Sequence, residues 1–254
     1  MALFTDGLPS SIEDLSARDS QLLNVANVEG IDVTQKLWLA HEEVGMDLYT
    51  LLTKMSYVDP LFWLAPKPNL ETVAVTPPLQ LWHAYRSLEM VYADAYNSQL
   101  NDRYAGKRDQ YHESARWAYE KLVQNGLGIV QIPVAKAATP TVTTASGAIP
   151  DGTYFVTMAW VNRAGEEGGS AAPAVATTAA STLAVEPGSA PQNATGWNVY
   201  VGSAPDSLVR QNTQPIAVGQ TWLQPNQVYS AGIPPSGGQK PGYIQPIPRV
   251  LERG

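Results

Sequence analysis

At 254 residues, 44% hydrophobic and 15% charged, the chain is long and apolar enough for two cores, and its lack of cysteine excludes disulfide staples and thiolate metal sites. The formal charge of −7 lies wholly in residues 1–133, which hold ten Lys or Arg against seventeen Asp or Glu; residues 134–254 hold six of each. That balance excludes nucleic-acid binding through a general basic surface, because phosphate contacts need clustered Lys or Arg, but it allows a surface that DNA passes without sticking.

In chain order, Met1 to Gly7 lacks the basic and apolar regions of a secretion signal, and no stretch nears the roughly 18 apolar residues of a membrane helix. A soluble protein made in the cytoplasm is expected, with no membrane contact. A first helix is predicted after Ser10-Ser11, where a hydroxyl can cap free amides ahead of Glu13-Asp14, running to about Asn27–Gly30. A second is predicted over about 33–55, where Leu37, Ala40, Val44, Leu48, Leu51 and Met55 recur every three or four residues. The apolar, proline-bounded run Tyr57 to Pro66 reads as a plug. A third helix starts near Pro77-Pro78, with Leu81, Tyr85, Leu88, Tyr92 and Ala95 on one face. A fourth runs from about Arg103, through Tyr104, Tyr111, Ala115, Ala118 and Leu122, to Asn125-Gly126.

Past residue 133 the grammar changes to Ala, Thr, Val, Gly and Pro. Residues 134–140 read as a linker and 141–224 as short strands: 141–143, 152–162 with Tyr154, Val156, Met158 and Trp160 alternating, 173–178, 181–185, 197–202 and 207–211. A turn is predicted at Ala164 to Gly169. Such strands, with no helical period between them, predict a β-sandwich. Residues 225–254 mix Pro and Gly with spaced Tyr243, Ile244, Ile247, Val250 and Leu251, the pattern of an extended arm that orders on a neighbour. The fold expected is α+β in two domains: a helical bundle over 1–133, a sandwich over 141–224 and an arm over 225–254.

The segment Gly152 to Gly169, followed by Thr195-Gly196-Trp197-Asn198-Val199-Tyr200-Val201-Gly202, resembles an immunoglobulin or fibronectin type III-like module of the kind inserted in tailed-bacteriophage virion proteins. The helical half, with Ser11-Ile12-Glu13-Asp14-Leu15 and the stripe from Val33 to Met55, resembles the head-to-tail connector or adaptor proteins of tailed phages. That resemblance implies a non-enzymatic structural protein in the neck of the virion. It implies a homo-oligomeric ring, of twelve subunits in the family pattern, beneath the portal protein. Tail or nozzle proteins would lie beyond the ring, DNA would pass through it, and C-terminal arms would reach neighbours. The alternative is a tail, baseplate or decoration protein whose sandwich binds a glycan or capsid surface through Trp197, Tyr200 and Trp222.

Catalytic signals fail on inspection. His41-Glu42-Glu43 and His112-Glu113-Ser114 begin like a zinc-protease motif but lack its second histidine, and three histidines without cysteine make a His/Cys metal site implausible. His83, beside Trp82, reads as a buried ring with a hydrogen-bond partner. Gly126-Leu127-Gly128 follows a helix instead of opening one, and Ser170 lacks a nucleophile elbow. Glu42-Glu43 and Glu166-Glu167 read as solvated pairs, and Asn193-Ala194-Thr195 as a chance sequon. No catalytic residue, cofactor or metal is expected. The dense aromatics of the third and fourth helices are mostly core, with Tyr92 and Tyr96 as candidate interface residues alongside Tyr243, Ile244, Ile247, Val250 and Leu251.

Overall fold

The computed structural model describes residues 1–56, 68–99 and 102–245. The chain is helical in its N-terminal part and built of sheet in its C-terminal part. It forms two compact units. One comprises Gly7–Ile129 with the segment from Pro241, the other Met1–Asp6 with Val130–Lys240.

In the helical unit, Ser11 opens α1 (Ile12–Arg18) through a capping box: its Oγ accepts from Asp14 N–H, and the Asp14 carboxylate accepts from Ser11 N–H at 2.9 Å. The single first helix expected from sequence is instead two. Asp19 takes extended backbone and ends α1, and α2 (Leu22–Glu29) follows after a two-residue step. The break buries the Asp19 side chain, which accepts from Gln21 N–H at 2.9 Å. Gly30, at φ 67°, supplies the left-handed residue that closes α2.

Helix α3 (Val33–Ser56) matches the predicted stripe, with Leu37, Ala40, Val44 and Leu48 buried. Helices α4 (Pro77–Gln99) and α5 (Ala105–Asn125) follow, and α4 is the hub against which α1, α2, α3 and α5 all pack. Leu15, Leu22, Val25, Leu37, Leu88, Val91, Tyr92 and Tyr111 share one core. After α5, β1 (Leu127–Ile129) bridges back to Val73 through Ile129.

The other unit holds two antiparallel sheets. β2 (Thr141–Ala145), β5 (Thr182–Glu186) and β9 (Trp222–Leu223) form one, in the order β2-β5-β9. β3 (Gly152–Asn162), β4 (Ala174–Thr178), β6 (Ala194–Gly202) and β7 (Val209–Arg210) form the other, in the order β4-β3-β6-β7, with β8 (Ile216–Ala217) also on β6. Tyr154, Val156, Met158 and Trp160 of β3 and Trp197, Val199 and Val201 of β6 meet Leu183 and Val185 of β5 in one core. The opposite face of β3 and β6 is covered as well, where Ala159, Tyr200 and Leu208 cluster, so these strands are buried on both sides. The predicted turn after β3 forms around Asn162, whose Oδ1 accepts from the N–H groups of Ala164 and Glu166.

Two expectations about connecting segments are corrected. Residues 134–140 are no free linker: Val134 and Ala137 are buried in the β-unit core, and Ala137 N–H donates to Gly169 O at 3.0 Å. Residues 225–240 are no free arm either. They are tied to the β unit through buried glutamines: Gln211 Oε1 accepts from Tyr229 N–H, and Gln239 Oε1 accepts from Val134 N–H at 2.7 Å. Only then does the chain enter β10 (Gly242–Ile244), which pairs antiparallel with β1 in the helical unit. The predicted plug at 57–66 lies outside the described residues.

Candidate interaction surface

The surface of interest starts with the outward side of α3. At 100° per residue, Trp38, Tyr49, Met46 and Leu39 fall within about 100° of arc, opposite the buried stripe. All four are exposed, Trp38 by 50% and Met46 and Tyr49 by 63% each. The polar residues among them are Gln35, Glu42, Thr50 and Thr53, all exposed. Large aromatics and Met with few charges are the composition of interface centres. Sequence periodicity marks only the buried side of α3. Two aromatics standing off that stripe were the available signal for the other.

Next to this stripe, α3 and α5 wall a cleft of about 410 Å³ floored by α4. Glu43, Val44 and Asp47 come from α3, Trp82, Arg86 and Glu89 from α4, and His112, Ala115, Arg116 and Tyr119 from α5. The Arg86 guanidinium bridges Glu43 at 2.5 Å and Glu89 at 2.7 Å, and His112 Nδ1 lies 2.9 Å from Glu89. Burial works against the Arg86 charge, yet its bonds to Glu89 and Glu43 hold its pKa above the ordinary value. Trp82 and Tyr119 pack at 5.0 Å between centroids with a 60° tilt. Burial and the Asp47 charge raise the Tyr119 pKa, so the phenol is neutral at physiological pH. Among the described residues Asp47 has no ion pair. The cleft thus joins an aromatic pair to a mixed set of charges, Arg86 and Arg116 beside Glu43, Asp47 and Glu89.

The predicted interface residues separate. Tyr92 is 2% exposed and its hydroxyl donates to Asp19 at 2.8 Å, so it is a core residue and offers no surface; this corrects the expectation. Its ring stacks on Tyr111, whose hydroxyl donates to the same carboxylate. Tyr96 is half-buried against the core, with the Arg108 guanidinium 4.4 Å from its ring centroid. Tyr243 is exposed and Ile244 half-buried, both in β10. Ile247, Val250 and Leu251 lie outside the described residues.

Of the histidines, His83 is fully buried: Nε2 faces Leu37 O at 3.1 Å and Nδ1 faces Ser10 Oγ at 2.5 Å. With Nε2–H donating to the carbonyl, Nδ1 accepts from the hydroxyl, which makes a satisfied internal staple. Burial, the largest influence, and His41 push its pKa down to about 4, against the opposing bond to Leu37. Among the described residues no three His, Cys, Asp or Glu side chains gather where they could hold a metal ion. No helix among them is long and apolar enough to cross a membrane.

In the β unit, Trp197 and Tyr200 are fully buried, and the Tyr200 hydroxyl donates to Glu167 at 2.6 Å. Neither ring is available to stack on a sugar. Comparison with protein-family models, curated proteins and solved structures finds no match to this chain.

Proposed function

We propose that this chain is a structural virion protein of a tailed phage, a head-to-tail adaptor whose helical unit forms an oligomeric ring beneath the portal. The observation that carries the reading is the exposed Trp38–Leu39–Met46–Tyr49 stripe on α3, four large apolar side chains on one face of a helix whose other face is already buried. At roughly 150–250 Å² per aromatic side chain, their exposed parts amount to several hundred Å², a large share of the ~800 Å² per partner of a standard interface. A head-to-tail contact that closes on itself makes a ring. The negative charge concentrated in the helical half supports a channel that DNA traverses without adhesion.

On this reading the β unit is an immunoglobulin- or fibronectin-like sandwich. Its two antiparallel sheets with a shared core support that assignment. Tail or nozzle proteins would be the further partners, and no catalysis, cofactor or metal is involved. The burial of Trp197 and Tyr200 weighs against the rival reading, in which the sandwich binds a glycan or capsid surface through Trp197, Tyr200 and Trp222, of which Trp222 alone is partly exposed.

Negative-stain imaging of the purified protein, alone and mixed with the portal of the same phage, tests the proposal. Rings with a central hole, stacked on portal in the mixture, are expected. A protein that stays monomeric with portal and is absent from purified virions defeats it.

A further inference from the structure

A ring closed by one kind of head-to-tail contact needs two different surfaces on every copy, one that is offered and one that receives. The stripe on α3 is the first, and the walls of the cleft locate the second. At about 100° per residue, the stripe lies about 140° around α3 from Glu43, Val44 and Asp47, which line the cleft. On the opposite wall, Trp117 lies about 150° around α5 from the cleft-lining His112, Ala115, Arg116 and Tyr119. The two cleft-lining faces look toward each other. The stripe and Trp117 therefore look away from each other, on opposite flanks of the helical unit.

Trp117 is 49% exposed. Gln110, Glu113, Lys121 and Gln124 stand around it on the same face of α5, which makes a large aromatic set in a polar rim, the composition of an interface anchor. The charges of the two flanks are also complementary. Glu42 falls inside the arc of the α3 stripe and is exposed, while Lys121 lies one turn beyond Trp117, its Nζ donating to the neutral Gln124 Oε1 at 2.8 Å. Among the described residues neither Glu42 nor Lys121 has an ion pair. A stripe-to-stripe contact would set Glu42 against its own copy, like charge on like, whereas stripe on the Trp117 face sets carboxylate against ammonium.

We propose that the outer face of α5 around Trp117 receives the α3 stripe of the next copy of the chain, with Glu42 of that copy against Lys121. The assignment rests on the ring reading above and supplies the second half of its contact.

The natural absence of cysteine makes a clean test. Full-length protein carrying Glu42→Cys and Lys121→Cys is oxidised with diamide and run on a non-reducing gel. A ladder of covalent oligomers is expected from the double variant and none from either single variant, because a head-to-tail contact never brings one position against itself. Trp117→Ala should raise the protein concentration at which rings appear in negative stain at least tenfold, the scale of losing a central tryptophan anchor, with an unchanged circular dichroism spectrum. Covalent dimers from Glu42→Cys alone overturn the assignment and set stripe on stripe. No ladder from the double variant, or rings at the parent concentration in Trp117→Ala, while the parent forms rings, overturns it and leaves the ring reading standing with another receiving face. A parent that stays monomeric throughout removes both.

Discussion

Asp19 and Tyr111 stand 92 positions apart in sequence, yet the tyrosine hydroxyl donates to the carboxylate at 2.7 Å in the buried interior of the helical unit. Tyr92 donates to the same oxygen at 2.8 Å, and Lys107 Nζ approaches it at 3.3 Å. One carboxylate thereby ties the α1–α2 break to α4 and α5. Asp19→Ala leaves two buried phenol hydroxyls without an acceptor and should cost about 2–4 kcal/mol, read as a lower urea midpoint with unchanged slope. Burial alone would raise the Asp19 pKa, but the bonds from Tyr111, Gln21 N–H, Tyr92 and Lys107 outweigh it and leave it lowered. A depressed carboxylate stabilises the fold above its unfolded value near 3.8, and this is lost as pH falls through the folded value. Asp19→Asn should flatten the pH dependence of stability in that acid range.

His83 acts in a different window. Its folded pKa of about 4 lies below the ordinary 6.5, so the unfolded chain takes up a proton that the folded chain refuses. Stability attributable to this group is therefore complete above about pH 6.5 and drains away as pH falls toward 4. At ~1.4 kcal/mol per pKa unit, the loss approaches ~3 kcal/mol. Urea titrations at pH 7 and pH 5 on the parent and His83→Gln measure it. The parent should lose more stability between the two pH values than the variant, and equal losses would refute the assignment.

The two faces of α3 should respond in opposite ways. Leu48 is fully buried, and Leu48→Asp places a charge in the core, which should unfold the helical unit by circular dichroism. Met46→Glu and Tyr49→Glu alter exposed positions and should shift stability by no more than about 0.5 kcal/mol. On the adaptor reading they should nonetheless abolish rings in negative stain. Rings that persist in the Met46→Glu/Tyr49→Glu double variant would move the subunit contact elsewhere.

Gly128 sits where a side chain does not fit. A Cβ there would lie 2.7 Å from Thr76 Cγ2 and 3.2 Å from Pro241 Cβ. Gly128→Ala should therefore cost about 1–3 kcal/mol by overpacking. It should also speed hydrogen exchange at Tyr243 and Ile244 while leaving the amides of β3 and β6 unchanged.

Much of the architecture can be read from local pattern. The repeat Leu37, Ala40, Val44, Leu48 locates α3 to within a residue or so, and the alternation Tyr154, Val156, Met158, Trp160 locates β3. What escapes local pattern depends on distant partners. The stop at Asp19 makes sense only beside Tyr92 and Tyr111, 73 and 92 residues on. Strands of three residues such as β1 and β10 carry no periodicity at all. The burial of Tyr92 and the exposure of Trp38 follow from which helix occupies the centre, and α4 takes that place only once the others have packed around it. The cleft needs three helices at once, so no single segment announces it.

The pairing of Ile129 with Gly242 has a further consequence. The polypeptide departs at one residue and comes back beside it, so everything between is a cassette spliced into the loop of a small hairpin. A short turn joining the two strands, with the first six residues trimmed, should close the helical scaffold unaided. A foreign domain with neighbouring termini could then be grafted in its place.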